Sequence, residues 1–92
     1  MSFRFFYDVA RYNPYTDVIT FFLIDGETMV MCNITRDSLE GLENEAGLTG
    51  RQLETAFAKH RDRIERVVME RHRPGSRAAC VLLKGDFAGD CA

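Results

Sequence analysis

Thr49 to Arg73 reads as one long amphipathic helix, and any fold of this chain must find a surface for its apolar stripe. Thr49 and Gln52 stand in the capping-box relation, in which the hydroxyl accepts from the third helical N–H and the glutamine reaches back to the cap. Leu53, Ala56, Phe57, Ile64, Val67 and Val68 then recur at helical steps. Pro74 cannot continue the hydrogen-bond ladder and Gly75 frees the backbone, so the helix is expected to stop near His72 or Arg73. At roughly 1.5 Å per residue it would be on the order of 35 Å long, enough to cross a domain of this size.

Its polar side is basic. Residues 51–77 carry eight Lys or Arg against four acids. Oppositely charged residues stand three or four apart at Arg61/Glu65, Asp62/Arg66, Arg66/Glu70 and Glu70/Arg73, so a solvated, self-paired face is the plainer account. An acidic partner or nucleic acid, met by Lys59, Arg63, Arg66 and Arg73, is the alternative. His60 falls within the apolar stripe, which makes it a packed, hydrogen-bonded histidine before it is a ligand or a catalyst. His72 lies twelve residues further on, roughly 18 Å along a helix, too far to share a metal with it.

The preceding half of the chain reads as strands. Phe3, Phe5 and Tyr7 alternate with Arg4, Phe6 and Asp8, a first strand over about 3–7. Asn13-Pro14 marks a turn whose flanking tyrosines, Tyr12 and Tyr15, are expected to lie over the core edge. Residues 17–24 and 28–34 are rich in β-branched and aromatic side chains, and Asp25-Gly26 between them is a strong hairpin signal. On the first of these strands both alternating sets are apolar: Ile19, Phe21 and Leu23 on one side, Val18, Phe22 and Ile24 on the other. One set must meet the helices. The other is expected to form a greasy face suited to a dimer interface.

Thr35 is placed to cap a short helix over about 36–46, with Leu39, Leu42 and Ala46 as its stripe and Gly47 as its terminator. After Pro74-Gly75-Ser76, residues 77–84 are apolar on both alternating sets, which predicts a strand inside the sheet. The expected fold is therefore α+β: a mostly antiparallel sheet of about four strands with two helices, 36–46 and 50–73, on one face, in the order βββααβ. Residues 1–84 form the single domain and 85–92 a flexible tail.

Chemistry is sparse. No phosphate-binding glycine loop, nucleophile elbow or zinc-ligand spacing occurs, so no cofactor or metal is expected. Cys32, Cys80 and Cys91 form no C-x-x-C pair, and the first two fall on strands as small hydrophobes. A Cys32–His60 pair across the sheet–helix interface is the one enzymatic arrangement worth naming. The opening residues carry no signal-peptide pattern and no segment has the length of a membrane span, which points to a cytoplasmic chain with reduced cysteines. Charge is polarised: residues 1–50 hold three Arg against eight acids, so unlike faces are available for contact with a partner or a second copy.

Ile19-x-Phe21, Cys32-x-Ile34 leading to Leu39, and Phe57-x-x-x-Arg61-x-x-Ile64-Glu65 resemble the small bacterial family called domain of unknown function 1488. The resemblance covers roughly residues 3–84. It implies a small stand-alone α+β protein without an assigned activity. Arg61 and Glu65 are the charged positions that fit the family pattern, and a structural brace is the role expected of them. Three function classes follow, in order: a protein-interaction or regulatory module, with a homodimer through the second sheet face or an edge strand as one form of it; a nucleic-acid binder; and an enzyme around Cys32 and His60.

Overall fold

The computed structural model describes residues 3–73 and 78–91. Its strands are β1 (Phe3–Phe6), β2 (Tyr12–Asn13), β3 (Val18–Asp25), β4 (Thr28–Thr35) and β5 (Cys80–Leu82). Helices α1 (Arg36–Glu43), α2 (Gly50–Lys59) and α3 (Arg61–Arg71) lie between β4 and β5, and a 3-10 helix over Lys84–Cys91 follows. The sheet runs β1-β3-β4-β5, with β2 pairing to β3 on the same edge as β1. β1, β2 and β4 are antiparallel to β3, whereas β5 is parallel to β4. The fold is α+β with a mixed sheet, and the three helices supply the crossover that a parallel pair requires.

β3 and β4 are the frame. Their register sets Ile19 opposite Ile34, Phe21 opposite Cys32 and Leu23 opposite Val30, and all six are buried. Gly26 begins the two-residue turn with φ +62°, the positive value that the first position of a II′ hairpin turn demands. Phe5, Tyr7 and Phe57 surround Phe21 with ring centroids 5.1 to 6.2 Å away. Leu53, Ala56 and Phe57 of α2 and Ile64, Val67 and Val68 of α3 close the core from one side.

The helix starts behave as their sequences require. Thr35 Oγ1 accepts from Ser38 N at 3.3 Å, and the Thr49–Gln52 capping box forms with bonds of 2.8 and 3.2 Å. Gly50 is tied to packing: a Cβ there would lie 2.9 Å from the Tyr12 ring. Tyr12 thus covers the core edge, whereas Tyr15 is 95% exposed.

Several boundaries differ from the sequence expectation. The helix expected over 36–46 ends at Glu43, because Asn44 already adopts the left-handed conformation (φ 56°) and its N–H bonds back to Glu40 and Gly41. The helix expected over 50–73 is two helices. His60 has φ −103° and ψ 19°, outside helical geometry, and its ring is held by Glu43 of α1 at 2.8 Å. No Gly or Pro marks that break, and the carboxylate that holds the His60 ring comes from another element. Pro74 and Gly75 lie outside the described residues, but α3 stops at Arg71 and His72 is extended, as expected.

β5 is shorter than 77–84 and occupies a sheet edge, not the interior. Its inner residues do enter the core, Leu82 being fully buried, but Val81 and Leu83 on the other side are 43% and 54% exposed. Its doubly apolar pattern comes from an uncovered sheet face, not from burial on both sides. The stretch expected to be a tail forms 3-10 turns, and Phe87 in it is only 4% exposed.

Candidate functional site

All three helices pack on one side of the sheet, and the domain is only 19 Å in its thin dimension. That is the thickness of one sheet and one helical layer, which lie about 10 Å apart. The other face of the sheet has no covering layer among the described residues. Phe6, Phe22 and Ile24 are half-buried there only by one another and by their neighbours, with the Phe6 and Phe22 rings 6.4 Å apart. Met29 and Met31 stand beside Ile24 and Phe22 and are 54% and 45% exposed. Val81 continues the patch across β5. Polar groups gather at one end, where Thr20 Oγ1 donates to Asn33 Oδ1 at 2.6 Å. Arg4, opposite Ile24, is the charge that borders the apolar end. Isolated domains rarely leave large contiguous apolar areas uncovered, and this face is the apolar area that the described residues leave open.

A family model described as "Protein of unknown function (DUF1488)" matches residues 5–83. The chain belongs to the DUF1488 family. No curated protein and no solved structure matches it. The match takes in the sheet from Phe5 onward and all three helices, and with them the uncovered face. Among the described residues no helix is long and apolar enough to cross a membrane, and no group of three or more His, Cys, Asp and Glu is placed to hold a metal.

In this DUF1488 chain Arg61 and Glu65 meet through Tyr7. The Arg61 guanidinium lies 4.3 Å from the centre of the Tyr7 ring, and the Tyr7 hydroxyl donates to Glu65 Oε2. Burial, with the Glu65 carboxylate beside it, pushes the Tyr7 phenol above its ordinary range. The residue after β1 is thereby clamped to α3. Tyr7→Phe is expected to lower stability by about 1–3 kcal/mol, because the half-buried Glu65 loses its donor; urea unfolding monitored by circular dichroism measures it.

Cys32 and His60 are not brought together. Cys32 is fully buried with its thiol toward Val30 O (3.6 Å) and Cys80, whereas His60 bonds to Glu43 at the α2–α3 break. The four cations proposed for nucleic acid are spread over α2, α3 and the residues beyond it. Lys59 pairs with Glu43 at 3.1 Å, Arg63 is half-buried and Arg66 is exposed on α3, while Arg73 lies beyond the end of that helix. The break at His60 and the stop at Arg71 divide what the sequence presents as one stripe.

The remaining charges brace the scaffold. Arg36 binds Asp17 Oδ1 and Glu40 Oε2 at 3.0 Å each and Leu48 O at 2.6 Å, joining the β3 entry to α1 and the loop after it. The Tyr12 hydroxyl, and Arg36 against opposing desolvation, hold Asp17 below its usual value. At Glu40 burial works upward, but Arg36 and the N–H groups of Leu48 and Gly47 outweigh it. His60 and then Lys59 lower Glu43. Carboxylates with depressed folded values bind more protons when unfolded, so their stabilisation is complete above the unfolded values and lost as pH falls through the folded ones. The melting temperature is therefore expected to fall once pH drops below the ordinary 4.5 of the glutamates and 3.8 of Asp17. Thermal melts in acid should show a shallower fall for a Glu40→Gln/Glu43→Gln variant than for the wild type.

Two residues gain partners that sequence spacing does not disclose. His72, at the end of α3, has a side chain 4% exposed and bonds to Asp25 at 2.9 Å, with its ring edge-on to Phe3. Cys80 stands directly opposite Cys32 in the parallel β4–β5 register. Only the crossover topology sets these positions side by side.

Proposed function

We propose that this chain is a protein-interaction module that works as a homodimer closed over the outer face of its sheet. The observation that carries this is the uncovered apolar patch formed by Phe6, Phe22, Ile24, Met29, Met31 and Val81. A second copy is the occupant that suits it. An isologous interface sets a patch against itself, so it needs a face with little charge to repel its twin. The outer sheet face meets that condition, whereas residues 51–73 on the helical side carry seven basic residues against four acids. A standard interface uses roughly 800 Å² per partner, a footprint within reach of a domain 37 × 31 Å in its two long dimensions. The free thiols of Cys32 and Cys80 fit a reducing, cytoplasmic setting.

Light scattering on the full chain at micromolar concentration, alone and with mixed-sequence duplex DNA at low and moderate salt, tests the proposal. A mass twice the 10.5 kDa of the chain, unchanged by DNA, is the expected result. A monomer at every concentration would overturn it. So would a DNA complex that dissolves with salt, which would transfer the function to the basic helices.

A further inference from the structure

At the edge of the sheet, behind the proposed interface, a cavity of about 200 Å³ lies between Arg71, His72 and Arg73 on one side and Ala78, Ala79 and Cys80 on the other. Cys80 is partly exposed and points inward, packed against the core, with Cys32 directly opposite it on β4. Neighbouring strands are about 4.8 Å apart, inside the Cα separation of about 4.4–6.8 Å that a disulfide spans. The two thiols differ in access: Cys32 is 0% exposed, and Cys80 borders the cavity.

We propose that Cys80 is a hydroperoxide-reactive thiol and that Cys32 is its resolving partner, so that oxidation ends in a Cys32–Cys80 disulfide within one chain. The first step forms an S–O bond from the Cys80 thiolate to the distal peroxide oxygen and breaks the O–O bond. Sulfur is oxidised by two electrons, and the departing alkoxide or hydroxide takes a proton and leaves as alcohol or water. In the second step the Cys32 sulfur attacks the Cys80 sulfenic acid. The S–S bond forms, the S–O bond breaks, and the hydroxyl leaves with the Cys32 proton as water. An external dithiol reductant returns both thiols.

The surroundings favour this division of roles. The hydrogen bond with Cys32 draws Cys80 down to about 7 against the effect of burial, and Arg71 and His72 add to it while Asp86 opposes. The same hydrogen bond, together with burial, pushes Cys32 upward. Arg71 is held by Asp86 at 2.8 Å and by Val81 O at 2.7 Å, and His72 by Asp25, so both side chains are anchored beside the cavity. Cys80 is thus the nucleophile at neutral pH and Cys32 a reserve thiol released only when its neighbour has been oxidised.

Treating the full chain with hydrogen peroxide, alkylating the remaining thiols and mapping peptides by mass spectrometry tests this. The expected product is an intramolecular Cys32–Cys80 link that a dithiol reverses. In Cys32→Ala the reaction should stop at a Cys80 sulfenic acid, trapped by a dimedone-type probe. In the untreated wild type, alkylation at pH 7 should modify Cys80 at least tenfold faster than Cys32. Oxidation confined to Cys91, a link between chains, or equal alkylation of Cys32 and Cys80 would each overturn the proposal. The wild-type peptide map decides even if the Cys32→Ala core does not fold.

Discussion

Met31→Glu is expected to turn the proposed dimer into a monomer while leaving the fold intact. Met31 stands on β4 opposite Phe22 with 45% of its surface exposed, so in a lone domain a glutamate there keeps its water. Substitutions at such sites shift stability by only about 0.5 kcal/mol. Within an isologous interface each copy contributes one carboxylate, and both are pressed against apolar side chains. An unpaired charge buried in that way costs several kcal/mol, and every 1.4 kcal/mol is roughly a tenfold loss of affinity. A weakening of at least about a hundredfold follows. Sedimentation equilibrium over a concentration series measures it, with thermal melting as the check on folding. A Met31→Glu protein that stays dimeric would remove the sheet face from the interface.

Phe21→Ala should act in the opposite way, destroying stability before association. Phe21 is 0% exposed and packs within 5.1 Å of Phe57, 5.8 Å of Tyr7 and 6.2 Å of Phe5, measured between ring centroids. It therefore joins β1, β3 and α2 at one point. Removing such a ring typically costs about 3–5 kcal/mol through lost burial and the cavity left behind. Domains of this size hold only about 5–15 kcal/mol in total. Urea unfolding should accordingly show a midpoint near the lower limit of measurement, or no folded baseline. A loss below about 1 kcal/mol would mean that the aromatic cluster is not the centre of the core.

What the sequence discloses here is mainly local. Thr49 and Gln52 sit three apart and form their capping box, Thr35 caps α1, and Asp25-Gly26 turns the hairpin, because each depends on neighbours along the chain. The two faces of β3 are likewise readable, since strand alternation alone separates Phe21 from Phe22. Features set from a distance are hidden. His60 leaves helical geometry beside Glu43, a residue seventeen positions earlier, and the apolar periodicity runs through it without a mark. The doubly apolar pattern of β5 suggests a central strand, but its outer side belongs to the same uncovered surface as Met29 and Met31. Phe87 is an anchor in a stretch whose Gly and Asp content suggests a tail.

The candidate site divides in the same manner. The greasy second face of the sheet follows from the alternation of Val18, Phe22 and Ile24, and it is where the structure leaves Met29 and Met31 open. The Cys32–His60 pairing, by contrast, depends on which elements touch, and spacing along the chain does not disclose that. Cys32 instead meets Cys80, because a parallel strand returning after three helices lands beside β4. Arg61 and Glu65 are recognisable as a pair, yet the tyrosine between them comes from the other end of the chain.

Methionine methyl resonances offer the sharpest reading of whether the sheet face is covered in solution. Met29 and Met31 lie on that face, and Met69, 38% exposed on α3, is an internal reference on the helical side. With a soluble paramagnetic agent added, a homodimer closed over the sheet keeps the Met29 and Met31 methyls sharp while Met69 broadens, and dilution restores their broadening. If all three methyls broaden alike at every concentration, the outer face is open to water and the proposed interface does not exist.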